Sequence, residues 1–239
     1  MTWSIAAKDP KTGALGVAVT TKFFAVGSLC PFVASGVGAV STQALVNPTF
    51  GPRGLRLLQE GLNADQAIDR LVQSDKGREH RQLHLIDNNG NAAAWSRCAC
   101  IGWYGHKLGD GFSVAGNMLA SKDVLEHTYK TFSNSSSKSF AQRFLDALDA
   151  GQAAGGDYRG SQSAALLIFT TEEYPYLSLR VDDHCNPLKE LRRLYHESQK
   201  DFLPFLDILP SQERPDGIFS GDTLNRILER QKACQSRTD

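Results

Sequence analysis

The opening of the chain constrains its fold more than any other stretch. It runs Thr2-Trp3-Ser4-Ile5-Ala6-Ala7-Lys8, then Asp9-Pro10-Lys11-Thr12-Gly13, then Ala14-Leu15-Gly16-Val17-Ala18-Val19-Thr20-Thr21-Lys22. Pro10 fixes φ, Asp9 favours a turn start and Gly13 supplies a positive φ, so the sequence predicts a β-hairpin with β-favouring Val and Thr on its return strand. Chain ends fray unless something ties them down, so a strand beginning at the second residue has to be held in a sheet. A small second residue permits removal of Met1, after which Thr2 would carry a hydroxyl and a free α-amine together. That amine has an unperturbed pKa of about 7.7–8.0, suited to act as general base for its own hydroxyl. The rival reading of Thr2 is an ordinary strand residue.

Composition narrows the setting. A chain of 239 residues fits one domain with a small appendage, here residues 1–200 followed by a C-terminal helical extension over 201–239. Basic and acidic residues number 26 each, so no bulk field draws the protein to nucleic acid or an anionic membrane. Five cysteines without a regular framework point to a reducing compartment, and with no signal peptide or apolar span to read, the expected location is cytoplasmic. Cys98-Ala99-Cys100 is too tight for the usual zinc spacing, and no His pair shows ligand spacing, so neither a metal nor another cofactor is expected. No phosphate-binding glycine loop is present.

Further along, Gly36 to Thr42 reads as a strand whose glycines imply close backbone approach, and Gln43 to Gly54 as a loop leading into a helix near Leu55. Asn63 and Gln66 form a capping-box pattern ahead of a helix with Ala67, Ile68, Leu71 and Val72 on one face. The turn Asn88-Asn89-Gly90 joins two strands in the clearest hairpin signal of the chain. Ile101 to Gly111 is read as a glycine-rich crossing, and Phe112 to Asn117 as a strand. Ser121 and Ser139 cap two helices. Ala164 to Phe169 is a buried strand with Leu177 to Val181 as its antiparallel partner. Of the adjacent Asp182 and Asp183, which point to opposite faces, one is expected to cap the helix that Pro187 opens. Pro204 should kink or end that helix, and Asp222 should cap a last short one carrying Leu224, Ile227 and Leu228. Strands and helices in separate runs give an α+β class, mainly antiparallel, with two sheets face to face and helix pairs outside.

Several of these stretches resemble one family. Thr2-Trp3-Ser4-Ile5-Ala6-Ala7, Gly16-Val17-Ala18-Val19 with Lys22-Phe23 and Ala25-Val26-Gly27-Ser28, Thr42-Gln43-Ala44, Asn47-Pro48 and Gly51-Pro52-Arg53-Gly54 look like the family called domain of unknown function 1028. So do Gly116-Asn117-Met118-Leu119, Ala154-Gly155-Gly156-Asp157 with Arg159-Gly160, Gln162-Ser163-Ala164 and Val181-Asp182-Asp183-His184, and the resemblance ends near residue 195. It implies the N-terminal-nucleophile (Ntn) hydrolase fold, a four-layer αββα sandwich. By fold-level analogy it also implies attack by Thr2 on an amide carbonyl.

The expected function is therefore hydrolysis of a small amide or amino-acid-like substrate, with Thr2 and Lys22 catalytic. Lys22 is the cation that would hold the amine as free base. Thr42, Gln43, Asn47 and Asn117 are candidate donors to an oxyanion or a substrate amide, with loop capping the rival for Asn47. Arg53, and Asp157 with Arg159, are candidates for reading the carboxylate and amine of a ligand, against a structural Asp–Arg pair. The alternative function is a non-catalytic ligand-binding or assembly protein on the same fold. Partners are a small molecule and further copies of the chain, as homodimer or higher homo-oligomer.

Overall fold

The hairpin forms with the turn chemistry its sequence carries. In the computed structural model, which describes residues 2–97, 99, 102–218, 221 and 225, β1 (Thr2–Lys8) pairs antiparallel with β2 (Leu15–Thr21). Gly13 takes φ 75°, its N–H donates to the Asp9 carbonyl, and the Thr12 hydroxyl donates to the Asp9 carboxylate. The same carboxylate stands 3.6 Å from the Arg143 guanidinium, which lies over the Phe132 ring. The turn is thereby fastened to the helices behind the sheet.

The remaining strands are β3 (Pro31–Ala34), β4 (Gly38–Ala44), β5 (Arg81–Asp87), β6 (Ala92–Ser96), β7 (Trp103–Gly109), β8 (Phe112–Leu119), β9 (Ser163–Phe169) and β10 (Leu177–Val181). They build a six-stranded sheet in the order β10-β9-β2-β1-β8-β7 and a four-stranded sheet in the order β3-β4-β5-β6, every pair antiparallel. The helices are α1 (Phe50–Gln59), α2 (Ala64–Gln73), α3 (Lys122–Asn134), α4 (Phe140–Ala153), α5 (Pro187–Ser198) and α6 (Phe202–Leu206). Helices α1 and α2 pack on the small sheet and α3 and α4 on the large one, while β1, β2 and β8 face β3, β4 and β5. The expected α+β class and four-layer αββα arrangement are what the chain adopts.

Local signals account for most boundaries. Asn63 and Gln66 close the capping box on α2, and the Ser121 and Ser139 hydroxyls accept from the first turns of α3 and α4. Gly38 is the close approach its strand predicted, since a Cβ there would sit 2.5 Å from the Ile86 carbonyl oxygen. Helix α1 starts at Phe50 rather than Leu55, because Pro52 occupies its first turn, where a missing N–H is harmless. The glycine-rich crossing is strand β7, bulged between Trp103 and Gly105 at the edge of the sheet. Neither aspartate caps α5: Asp182 pairs with Arg180, Asp183 accepts from Gln162, and the Asn186 side chain receives the Lys189 N–H.

The chain divides into a unit of residues 1–191 and a second of residues 192–239. In the second unit α6 carries Pro204, and the Ile218 N–H donates to the Ile208 carbonyl. Helix α5 ends at Ser198, six residues ahead of that proline. The helix expected from Asp222 lies outside the described residues, as do Met1, Cys98 and Cys100. Among the described residues, no helix is long and apolar enough to cross a membrane, and no cluster of His, Cys, Asp and Glu suits a metal.

Between the sheets the packing changes character from end to end. Ala6, Leu15, Val17, Val33, Ala39 and Ile86 form an apolar cluster. Beside it lies a fully buried polar seam. The Ser4 hydroxyl donates to Gln43 Oε1 at 2.7 Å, accepts from Ser41 at 3.0 Å and meets His84 Nε2 at 2.7 Å. Because the single Ser4 proton goes to Gln43, Nε2 of His84 is the donor and Nδ1 accepts from the Ser113 hydroxyl at 2.7 Å. Full burial holds His84 neutral and drives its pKa down to about 3.

This seam makes the fold acid-sensitive. In the unfolded chain His84 takes a proton below about pH 6.5, and in the folded one only near pH 3, so stability is complete above 6.5 and falls as pH drops through that window. Between pH 7 and pH 4 the loss from this residue is about 3 kcal/mol at about 1.4 kcal/mol per pH unit. Denaturant titrations at the two pH values should show a His84→Gln variant losing correspondingly less than wild type; parallel losses would remove His84 as the cause.

Candidate functional site

The polar seam ends at Thr2. In register, Thr2 lies opposite Thr21 on one side and Asn117 on the other. Its hydroxyl donates to the Thr21 hydroxyl at 3.2 Å, and its carbonyl accepts from Gln43 Nε2 and Asn117 Nδ2, each at 3.4 Å. Both amides also donate to Gln82 Oε1, at 2.7 and 2.9 Å, and Gln82 Nε2 is fixed in turn by Ser96 and the carbonyls of Gly105 and Gly116. A chain of side-chain amides from both sheets thus clamps the first residue of the central strand.

The Thr2 hydroxyl is not sealed in. A cavity of about 250 Å³ opens beside it, with Thr2, Thr21, Gln43 and Arg159 as its polar lining. The rest of the lining is apolar, Val26, Leu29, Cys30 and Val46 forming the wall, with the exposed side chains of Phe23 and Leu45 at the rim. Val26 and Cys30 pack with Val19 and Ala165 of the large sheet, which anchors that wall. Burial pushes the Cys30 thiol up to about 12, so it stays protonated and is no rival nucleophile.

Arg159 is set by Asp157. The Asp157 carboxylate, wholly enclosed, accepts from the Lys22 and Arg159 backbone N–H groups at 2.9 and 2.8 Å and from the Arg159 guanidinium at 3.2 and 3.4 Å. The Gln162 N–H donates to the Thr21 carbonyl, joining the same loop to the end of β2. Three of the described non-glycine residues hold a positive φ, and all three flank this end: Ala25 (54°) beyond Phe23, Ala44 (69°) after Gln43, and Met118 (52°) after Asn117.

Of the residues singled out in the sequence, Thr2, Gln43 and Arg159 meet at the cavity, with Asn117 and Asp157 directly behind them. Lys22 lies one position past β2 with its side chain exposed, and it does not line the cavity. Thr42 is buried and donates to the Asn47 carbonyl, while the Asn47 side chain caps Thr49 and donates to Asp75. Arg53 donates to the Ser74 hydroxyl. Asn47 and Arg53 thus tie the start of α1 to the end of α2, and Thr42, on β4, holds the Asn47 carbonyl. Thr21, Gln82 and His84 were missed. Thr21 was within reach, because a hairpin pairing Lys8 with Leu15 pairs Thr2 with Thr21 by simple counting.

The chain matches the model of a family of unknown function (DUF1028) over residues 2–191. A crystal structure of a Silicibacter pomeroyi protein from that family superposes with a TM-score of 0.85 at 31% identity, covering 92% of this chain and 96% of the other. Anbu, the ancestral beta-subunit, from Yersinia bercovieri aligns over 87% of this chain and 98% of its own at 13% identity. The TM-score of that alignment is 0.41. No curated protein matches.

The Asp157 carboxylate is the joint of this site. Asp157→Ala would strand two backbone N–H groups and release the Arg159 fork, a loss of about 2 kcal/mol by the usual penalty for unmade buried bonds. Urea unfolding should report it, and a variant within 0.5 kcal/mol of wild type would mean that the loop is held by something else.

Proposed function

The chain belongs to the DUF1028 family, and from the geometry at Thr2 we propose that it is an amidohydrolase of the N-terminal-nucleophile type acting on a small amide. One observation carries the reading: a threonine hydroxyl at the first position of the central strand lines a cavity, its backbone clamped by Gln43 and Asn117. Clamping matters because a nucleophile on a frayed end would have no fixed line of attack.

Removal of Met1 supplies the base. The Thr2 hydroxyl passes its proton to the α-amine as Oγ1 bonds to the amide carbon. The amine then returns that proton to the leaving nitrogen as the C–N bond breaks. Water, deprotonated by the same amine, cleaves the ester and restores Thr2, releasing a carboxylic acid and an amine. In this scheme Thr21 orients the hydroxyl and the apolar wall excludes bulk water, strengthening each polar contact inside.

A second reading, a ligand-binding or assembly protein on the same fold, is favoured by another observation. Lys22 stands in solvent, and the amides of Gln43 and Asn117 are turned on the carbonyl of Thr2 itself. Intact mass of the native chain and turnover of small amides separate the two readings. The hydrolase reading expects loss of Met1 and a fall of at least about 10³-fold in turnover for Thr2→Ala, the scale on which removing a covalent nucleophile acts. Retained Met1, or equal turnover by both proteins, would sink it.

A further inference from the structure

The lining of the Thr2 cavity has a composition of its own. Among the described residues Arg159 is the only charged side chain on it, and no carboxylate faces it. The Arg159 side chain is 34% exposed while its partner Asp157 is fully enclosed. The pair is neutral in sum, yet what a ligand meets is the guanidinium. Asp157 receives two backbone N–H groups as well as the guanidinium, so the anion is satisfied from its own side and the fork is held in one orientation before any ligand arrives. A preformed fork suits a planar carboxylate, and a single cation in apolar surroundings suits a monoanion better than a phosphate dianion.

Size and polarity set the rest of the ligand. A cavity of about 250 Å³ holds the equivalent of about eight waters at about 30 Å³ each, room for a small molecule only. Carboxylate and amide must then lie within a few bonds of one another to reach Arg159 and Thr2 together. Val26, Leu29, Cys30 and Val46 leave the remaining volume without a polar partner, and the rim side chains Phe23 and Leu45 are 61% and 64% exposed, apolar surface that an alkyl chain would cover.

We propose that the cavity binds N-acyl α-amino acids with a short apolar acyl chain, their free carboxylate received by Arg159 and their amide laid beside the Thr2 hydroxyl. This assignment rests on the hydrolase reading for the amide placed at Thr2; recognition of the carboxylate and the alkyl chain stands on the lining itself.

The test measures binding apart from chemistry. N-hexanoylglycine and its neutral analogue N-hexanoylglycinamide are titrated by calorimetry into the Thr2→Ala protein, which lacks the nucleophile. The acid should bind at least tenfold more tightly than the carboxamide. Adding Arg159→Gln, whose amide still donates to Asp157, should bring the two within twofold, and Arg159→Lys should keep an intermediate preference. Equal affinities, or no binding of either compound, would overturn the assignment. Release of glycine from N-hexanoylglycine by wild type is followed separately. Tight acid binding without turnover keeps the assignment and removes the hydrolase reading. Thr2-dependent hydrolysis of neutral amides without carboxylate preference does the reverse.

Discussion

The structure depends on strand β1 being paired along both edges and covered on both faces. It lies between β2 and β8 in the large sheet, and its side chains point alternately to the α3–α4 layer and to the small sheet. Its residues Trp3, Ile5 and Ala7 are fully buried, and so are Ser4 and Ala6. A polar side chain in that position has to find its partners within the protein, because no water reaches Ser4. The partners come from the facing sheet, Ser41 and Gln43 on β4 and His84 on β5. Each such bond left unmade would cost about 1–3 kcal/mol, so the seam fixes how the two sheets sit on each other. A slip of one residue would turn Ser4 to the helices and leave its partners orphaned.

From that constraint the placing of Thr2 follows. The apolar cluster around Ala6, Val17 and Ile86 tolerates exchanges of similar volume, but the seam is directional and leads from His84 through Ser4 and Gln43 to the Thr2 carbonyl. Gln82 gathers both clamping amides on one oxygen while its own amide is consumed by the β7–β8 edge of the large sheet. Position at the end of β1 is therefore set by both sheets, through groups that cannot be exchanged for apolar ones singly without leaving a buried donor or acceptor bare.

What the sequence revealed and what it hid divide along the range of the interactions. Local chemistry was legible: the Asp9 to Gly13 turn, the Asn-Gly hairpin of β5 and β6, the caps at Asn63, Ser121 and Ser139, and the apolar face of α2. Thr2 was legible from the hairpin and its own amine, Gln43, Asn117, Asp157 and Arg159 lay in stretches that resemble a family, and residues far apart in sequence came together. Strand β7 was hidden because its glycines weaken the alternating pattern that marks a strand, and its edge position leaves little of it buried. The start of α1 was hidden by Pro48, Gly51 and Pro52, which read as loop although the last two sit within its first turn. Gln82 and His84 were hidden for another reason. A lone Gln or His on a strand carries no local signal, and its meaning comes only from the facing sheet.

The Thr2 end also departs from what stability alone would select. Three non-glycine residues in the left-handed region, at about 1–3 kcal/mol each, surround it, together with an open cavity walled by Val26, Leu29 and Val46 and a rim of exposed Phe23 and Leu45. Filling that space with larger side chains would gain dispersion contacts and cover the rim. Further along the same sheet interface Ala6, Val33 and Ala39 pack into a buried apolar cluster, so the chain can close this layer and does not close it beside Thr2. Strain, void and exposed apolar surface gathered on one hydroxyl, beside one preoriented guanidinium, are tolerable where a ligand completes the packing.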